Sequence, residues 1–217
     1  MIALPGRGAP SLARRERRSL CDDALVLGSD APTLCGDWTA EDLVVHLLVR
    51  ERHPLAALGI LLPRAEPLTR HATARLAARD FPALVESLRE PGLAPLALPP
   101  VESLASTAEL FVHHEDLLRA QGSGHRRTLG SHDEDTLWRL VRTMGRVLAR
   151  PAGVPVRAVR TDSGAGASLV GGAEPVVLTG LPSEVLLYLF GRSEVCEVAV
   201  SGPDAAVARL GAADLGL

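Results

Sequence analysis

The sequence contains no lysine, so all 23 of its basic residues are arginine. That absence excludes every chemistry that needs an ε-amine: the phosphate-binding lysine of a P-loop, a Schiff-base lysine and a Ser-x-x-Lys acylating pair. Cysteine is sparse. Cys21, Cys35 and Cys196 are odd in number and show no C-x-x-C spacing, which excludes a disulfide framework and a cysteine-based zinc knuckle and suits a reducing compartment. Aromatic residues make up 3% of the chain. None accompanies the basic run Arg14 to Arg18, which therefore reads as a solvated helix face rather than a nucleic-acid patch. With 26 acidic against 23 basic residues the net charge is -3, giving no field that would gather nucleic acid or anionic membrane. Neither the start of the chain nor any later segment carries the unbroken apolar run of a signal peptide or membrane span. A cytoplasmic protein with no nucleic-acid or membrane partner is expected.

What the chain has is the composition of an ordinary globular protein, with 47% apolar and 23% charged residues over 217 positions, enough for a sizeable core. Its richness in Ala, Leu and Gly without Lys suggests a GC-rich coding sequence. From about Pro10 to Arg150 the apolar residues recur at three and four, and from Val154 onward the pattern breaks into short strand-like runs with Gly turns. The spacing predicts an α+β protein of two domains: a helical bundle over 1–150 and a small α+β unit over 151–217. Four main helices are expected in the first, at about 11–27, 39–52, 101–121 and 133–150. Two shorter ones lie over 61–89, and a Pro-rich connection over 90–100. The second should hold strands at 154–161, 168–170, 175–179 and 196–201, with helices at 183–190 and 203–210.

The helix opening at Thr39 has a capping hydroxyl with Asp42 three residues on, and between Leu43 and Val49 it is apolar on every side except for His46. A histidine in such a helix needs a partner. The third long helix contains Glu109-Leu-Phe-Val-His-His-Glu-Asp116. At about 100° per residue Glu109 and His113 fall about 40° apart and share a face with Asp116, while His114 is turned about 140° away from Glu109. A carboxylate and an imidazole one turn apart can grip a divalent ion, and His46 is the natural third ligand. Three protein ligands leave positions open for water or substrate. The same spacing also suits a helix pair held by a His to Glu hydrogen bond. Cys35 has no histidine beside it in sequence and reads as a small buried residue rather than a nucleophile. His53, His71, His125 and His132 read as surface, and Ser163 to Ser168 as a β-turn rather than a nucleotide loop.

The run from Leu34-Cys-Gly-Asp-Trp-Thr-Ala-Glu-Asp-Leu-Val-Val to His46, with Glu109 to Leu117, resembles the DinB-like metal-binding bundle proteins of actinobacteria, in particular the mycothiol-dependent maleylpyruvate isomerases. Pro182 to Arg192 looks like the signature helix of that family's C-terminal domain. The pattern is closer still to a metal-binding subfamily with no assigned substrate, for which the His-His-Glu-Asp run is typical. The resemblance implies a DinB-like four-helix bundle whose metal, zinc, is held by His46, Glu109 and His113. It also implies the low-molecular-weight thiol mycothiol as cosubstrate, a cis to trans isomerisation started by thiolate addition, and Arg192 as the counterpart of a catalytic arginine. The expected function is a metal- and thiol-dependent isomerase or transferase acting on a small anionic substrate. The alternatives are a protein that binds a metal or small ligand without turnover, and a C-terminal domain that binds a lipid or a partner protein.

Overall fold

In the computed structural model, which describes residues 10–52, 66–90, 99–122 and 125–216, helix α1 (Leu12–Leu27) buries Leu12, Leu20 and Ala24 of the apolar stripe Leu12, Leu20, Ala24 and Leu27 that the spacing predicts, with Cys21 beside them, while Leu27 is half-buried. Gly28 ends it at φ 91°, a conformation that favours glycine, and donates its N–H to the Ala24 carbonyl at 3.0 Å. Arg14 and Arg18 are exposed as expected, but Arg17 is buried. Its guanidinium donates to Glu51 Oε2 at 2.7 Å and to the Leu88 carbonyl at 2.9 Å. These partners make the burial of a charge tolerable, so the reading of a wholly solvated basic face is corrected at this one position.

Helix α2 (Ala40–Arg52) opens on the capping box read from the sequence. Thr39 N–H donates to Asp42 Oδ2 at 3.0 Å, and Asp42 N–H donates to Thr39 Oγ1 at 3.3 Å. It buries Leu43, Val44, Val45, Leu47, Leu48 and Val49, which lie on every side of the helix, so neighbours must surround it. Those neighbours include α3 (Glu66–Ala77) and α4 (Phe81–Arg89). Helix α5 (Pro99–Arg119) starts two residues before the expected Val101 and packs along α1, which also meets α4. The core of this part joins Leu20, Leu43, Leu47, Leu84, Leu88, Leu110 and Leu117. Residues 91–98 of the expected Pro-rich connection, the start of the helix expected from Leu61, and His53 lie outside the described residues, while Pro99 and Pro100, expected in that connection, open α5.

The chain divides into two compact units, Met1–Arg126 and Arg127–Leu217. Helix α6 (Ser131–Ala149), expected as the fourth helix of the first domain, therefore belongs to the second. Its apolar face of Leu137, Trp138, Leu140, Val141 and Leu148 is buried, and it packs on α7 (Pro182–Leu189) and on strand β2. Periodicity identifies the buried face of a helix but not what covers it.

The second unit is built on a four-stranded sheet in the order β2-β1-β3-β4. Strands β1 (Val156–Arg160) and β2 (Gly166–Val170) form an antiparallel hairpin through the expected turn at Ser163-Gly164, where Gly164 has φ 72°. Strand β3 (Val176–Gly180) runs parallel to β1, and β4 (Ala199–Ser201) antiparallel to β3. Every residue of α7 is buried, and α8 (Asp204–Gly211) closes the unit. The architecture is α+β as expected. No helix among the described residues is long and apolar enough to cross a membrane.

The start of α7 is satisfied from α6. Glu134 accepts the Ser183 N–H at 2.9 Å and the Ser183 hydroxyl at 2.8 Å, meeting a donor that the first turn of a helix leaves without an intrahelical partner. Removing the carboxylate strands both donors in a buried place, so Glu134→Ala is expected to lower stability by about 1–3 kcal/mol. Ser183→Ala, which deletes only the hydroxyl donor, should cost less than this in the same urea-unfolding measurement.

Candidate metal centre

Two elements of the first unit converge on α5. The loop between α1 and α2 closes on itself through an antiparallel bridge from Pro32 to Thr39. Within it, Thr33 Oγ1 donates to the Trp38 carbonyl at 2.8 Å and accepts the Cys35 N–H at 3.2 Å. Gly36, at φ 65°, supplies the tight bend that a side chain would strain. The loop is tied to α5 by the Leu34 N–H, which donates to the Asp116 carbonyl at 3.1 Å. Cys35 is thereby held against α5 and Trp38 against α2, with the Trp38 ring centroid 5.0 Å from that of His46.

From the other side α2 presents His46 and, one turn on, Arg50. His46, Glu109 and His113 come together, each offering one ligand atom, with these atoms all within 4.8 Å of one another. His46 Nε2 is 3.8 Å from Glu109 Oε1, and the His46 and His113 rings meet edge to face at 5.4 Å. The His-His-Glu-Asp run splits by direction. His113 and Asp116 face this cluster, with His113 Nδ1 3.1 Å from Asp116 Oδ2. His114 is buried against α1, its two ring nitrogens each 2.8 Å from a carboxylate oxygen, of Glu16 and of Asp23. Glu115 accepts from Arg119 Nε at 2.5 Å, and both are buried.

Burial governs the electrostatics. It holds His46 down to about 3, with the neighbouring His113 and Arg50 adding to the effect. His46 is therefore neutral at physiological pH, the form in which imidazole ligates a metal. Burial pushes the Glu109 carboxyl above the usual carboxylate range, against the opposing pull of Arg50 and His113. Glu109 Oε1 is buried and accepts no hydrogen bond of proper geometry. Arg50 Nε lies 2.8 Å from it, supplying positive charge without a well-directed N–H. A buried carboxylate oxygen so placed, beside two imidazoles, is a donor set that could hold a divalent cation.

Cys35 is the site residue that sequence reasoning set aside. Its Sγ lies 3.8 Å from His113 Nδ1 and 3.2 Å from Asp116 Oδ2, and Cys35, His113 and Asp116 form a second group of potential ligands within 4.8 Å. The partners are 78 and 81 residues away in sequence, so no local spacing reveals them. The available signal was the position of Cys35 inside the run that leads to His46. Arg192 follows α7 in the second unit, half-buried, and donates to the Phe190 carbonyl. His71, His125 and His132 are exposed, as expected.

The depressed His46 has a measurable consequence for the metal-free protein. The unfolded chain takes up a proton on this histidine below about pH 6.5 while the folded chain does not until about 3, so acidification through that window favours unfolding. Glu109, raised by burial, works in the opposite direction. Urea unfolding from pH 7 to 4.5 should show the wild type losing more stability than His46→Gln; equal slopes would contradict a buried neutral imidazole.

No protein-family pattern matches the chain, and no characterised protein matches it in sequence. In three dimensions it is similar to the crystal structure of the mycothiol-dependent maleylpyruvate isomerase, with a TM-score of 0.59 at 17% identity over 88% of this chain and 90% of that one. A histidine-to-alanine variant of the same enzyme matches with the same values. At this identity the likeness is one of fold.

Proposed function

We propose that the protein binds one divalent metal through His46, Glu109 and His113, and uses it as a thiol-dependent isomerase or transferase on a small anionic substrate. The observation that carries the reading is the convergence of these three side chains around a buried Glu109 oxygen without a proper hydrogen bond. Support for the thiol comes from the fold shared with the mycothiol-dependent isomerase. Mycothiol is the proposed cosubstrate and zinc the proposed metal, although two imidazoles and a carboxylate also accept iron, nickel or manganese. The DinB-like four-helix arrangement belongs to the same proposal, as does a cytoplasmic location.

When bound, the metal would supply the positive charge that keeps a coordinated thiol as thiolate near neutral pH. The chain's own residues prepare for this. Asp116, fully buried, faces His113 Nδ1 and so favours the tautomer protonated there, leaving Nε2 as the ligating nitrogen. His46 stays neutral, and Glu109 brings one negative charge. Arg50, about two-fifths exposed beside Glu109, is proposed to meet an anionic group of the substrate, and Arg192, in the second unit, is proposed as the counterpart of the family's catalytic arginine. A second reading has Arg50 behind it: with the guanidinium 2.8 Å from Glu109, the cluster is an ion pair that needs no metal.

The experiment is elemental analysis of wild type and His113→Ala purified without chelator or affinity nickel. Near one metal per chain in the wild type, lost in the variant, is expected; little metal in either supports the ion-pair reading. The metal-loaded protein is then incubated with mycothiol and α,β-unsaturated acids, and saturable binding without product would mark a carrier or sensor rather than an enzyme. Asp116→Asn, which weakens the grip on His113, is expected to lower metal affinity by about 10–100-fold, read by competition with a chromophoric chelator.

A further inference from the structure

Beside the set assigned above, the described residues of the first unit hold a second group of potential ligand atoms within 4.8 Å of one another, and it shares His113 with the first. We propose that Cys35 is a metal ligand, and that Cys35, His113 and Asp116 form a sulfur-containing site for a divalent transition-metal ion that competes with the His46 and Glu109 set for the His113 ring. This rests on the reading of His113 as a ligand given above.

The geometry is that of a compact donor set. Sγ of Cys35 is 3.8 Å from His113 Nδ1 and 3.2 Å from Asp116 Oδ2, and the latter two atoms are 3.1 Å apart. Asp116 is fully buried while Cys35 is half-buried, so one ligand anchors the set in the interior and the thiol gives it access to solvent. On binding, the Cys35 S–H bond breaks, a metal–sulfur bond forms and the proton leaves to solvent. A neutral imidazole has one lone pair to give. When His113 ligates through Nδ1 its proton sits on Nε2, and the ring is withdrawn from the His46 and Glu109 set. The ring thus selects between a nitrogen and oxygen set and one containing thiolate, and thiolate favours the softer ions.

The test is titration of wild type, Cys35→Ser and His46→Ala with Co²⁺. Expected is a near-ultraviolet thiolate-to-cobalt charge-transfer band in the wild type that is retained in His46→Ala and lost in Cys35→Ser. Visible cobalt bands without that band, or a band that survives Cys35→Ser, would overturn the proposal. The two readings fail separately. If His46→Ala leaves cobalt affinity unchanged and the charge-transfer band persists, the His46 reading falls and this one stands; if His46→Ala weakens cobalt binding while no such band exists, the reverse holds. No cobalt binding by the wild type would overturn both. Iodoacetamide labelling of unmutated protein gives a readout independent of any variant. At saturating metal only the fraction of Cys35 left free by the His46 and Glu109 set can react, so labelling of Cys35 should slow by severalfold while Cys196, in the other unit, labels at its former rate. Equal labelling of Cys35 with and without metal would count against coordination.

Discussion

Helix α5 carries Glu109, His113, His114, Glu115, Asp116 and Arg119 through a helical interior, and each of these must find a partner once water is removed. Much of the first unit is arranged around that demand. Helix α1 brings Glu16 and Asp23 to the two nitrogens of His114, Arg119 meets Glu115 one turn back along the same helix, and the loop before α2 docks Cys35 and the Leu34 N–H on Asp116. Helix α2, apolar around most of its circumference, contributes His46 and Arg50 beside Glu109. A neutral imidazole and a carboxylate raised by burial are what remain where these polar groups gather with little water.

The imbalance at Glu109 separates this cluster from an ordinary buried network. The His114 ring has a carboxylate at each nitrogen, and Glu134 in the second unit receives two donors from Ser183. Glu109 Oε1, by contrast, is buried with positive charge nearby and no properly directed donor. An arginine satisfies such an oxygen only through a well-aimed N–H, whereas a metal ion accepts a lone pair from any direction its coordination sphere allows. That difference, more than the presence of histidines, is what supports the proposal of a metal ion there. Asp116 extends the logic outward, since a carboxylate behind a histidine fixes both its orientation and its tautomer.

Local patterning rendered several elements legible in the sequence. Helix α1 ended at Leu27 and the Thr39–Asp42 box opened α2 as read, because capping involves residues within one turn of each other. The hairpin turn and the short strands were visible for the same reason. The spacing of Glu109 and His113 placed them on one face without any tertiary knowledge. Arg17 shows the limit of such readings: among solvent-facing arginines of the same run, it is buried because Glu51 and the Leu88 carbonyl reach it from distant elements.

By itself, then, the sequence determined which residues sit one helical turn apart, where helices start and stop, and which chemistries are excluded for want of lysine or paired cysteines. Tertiary structure alone decided that α6 covers β2 and α7 in the second unit. An amphipathic face specifies that it will be buried without specifying the surface that buries it. Tertiary structure also decided that Cys35 lies beside His113 and Asp116, which are 78 and 81 residues away along the chain. Periodicity reports the geometry of a single element, while a ligand set is assembled by the packing of several, and that packing is fixed by the shapes and polar partners of whole surfaces.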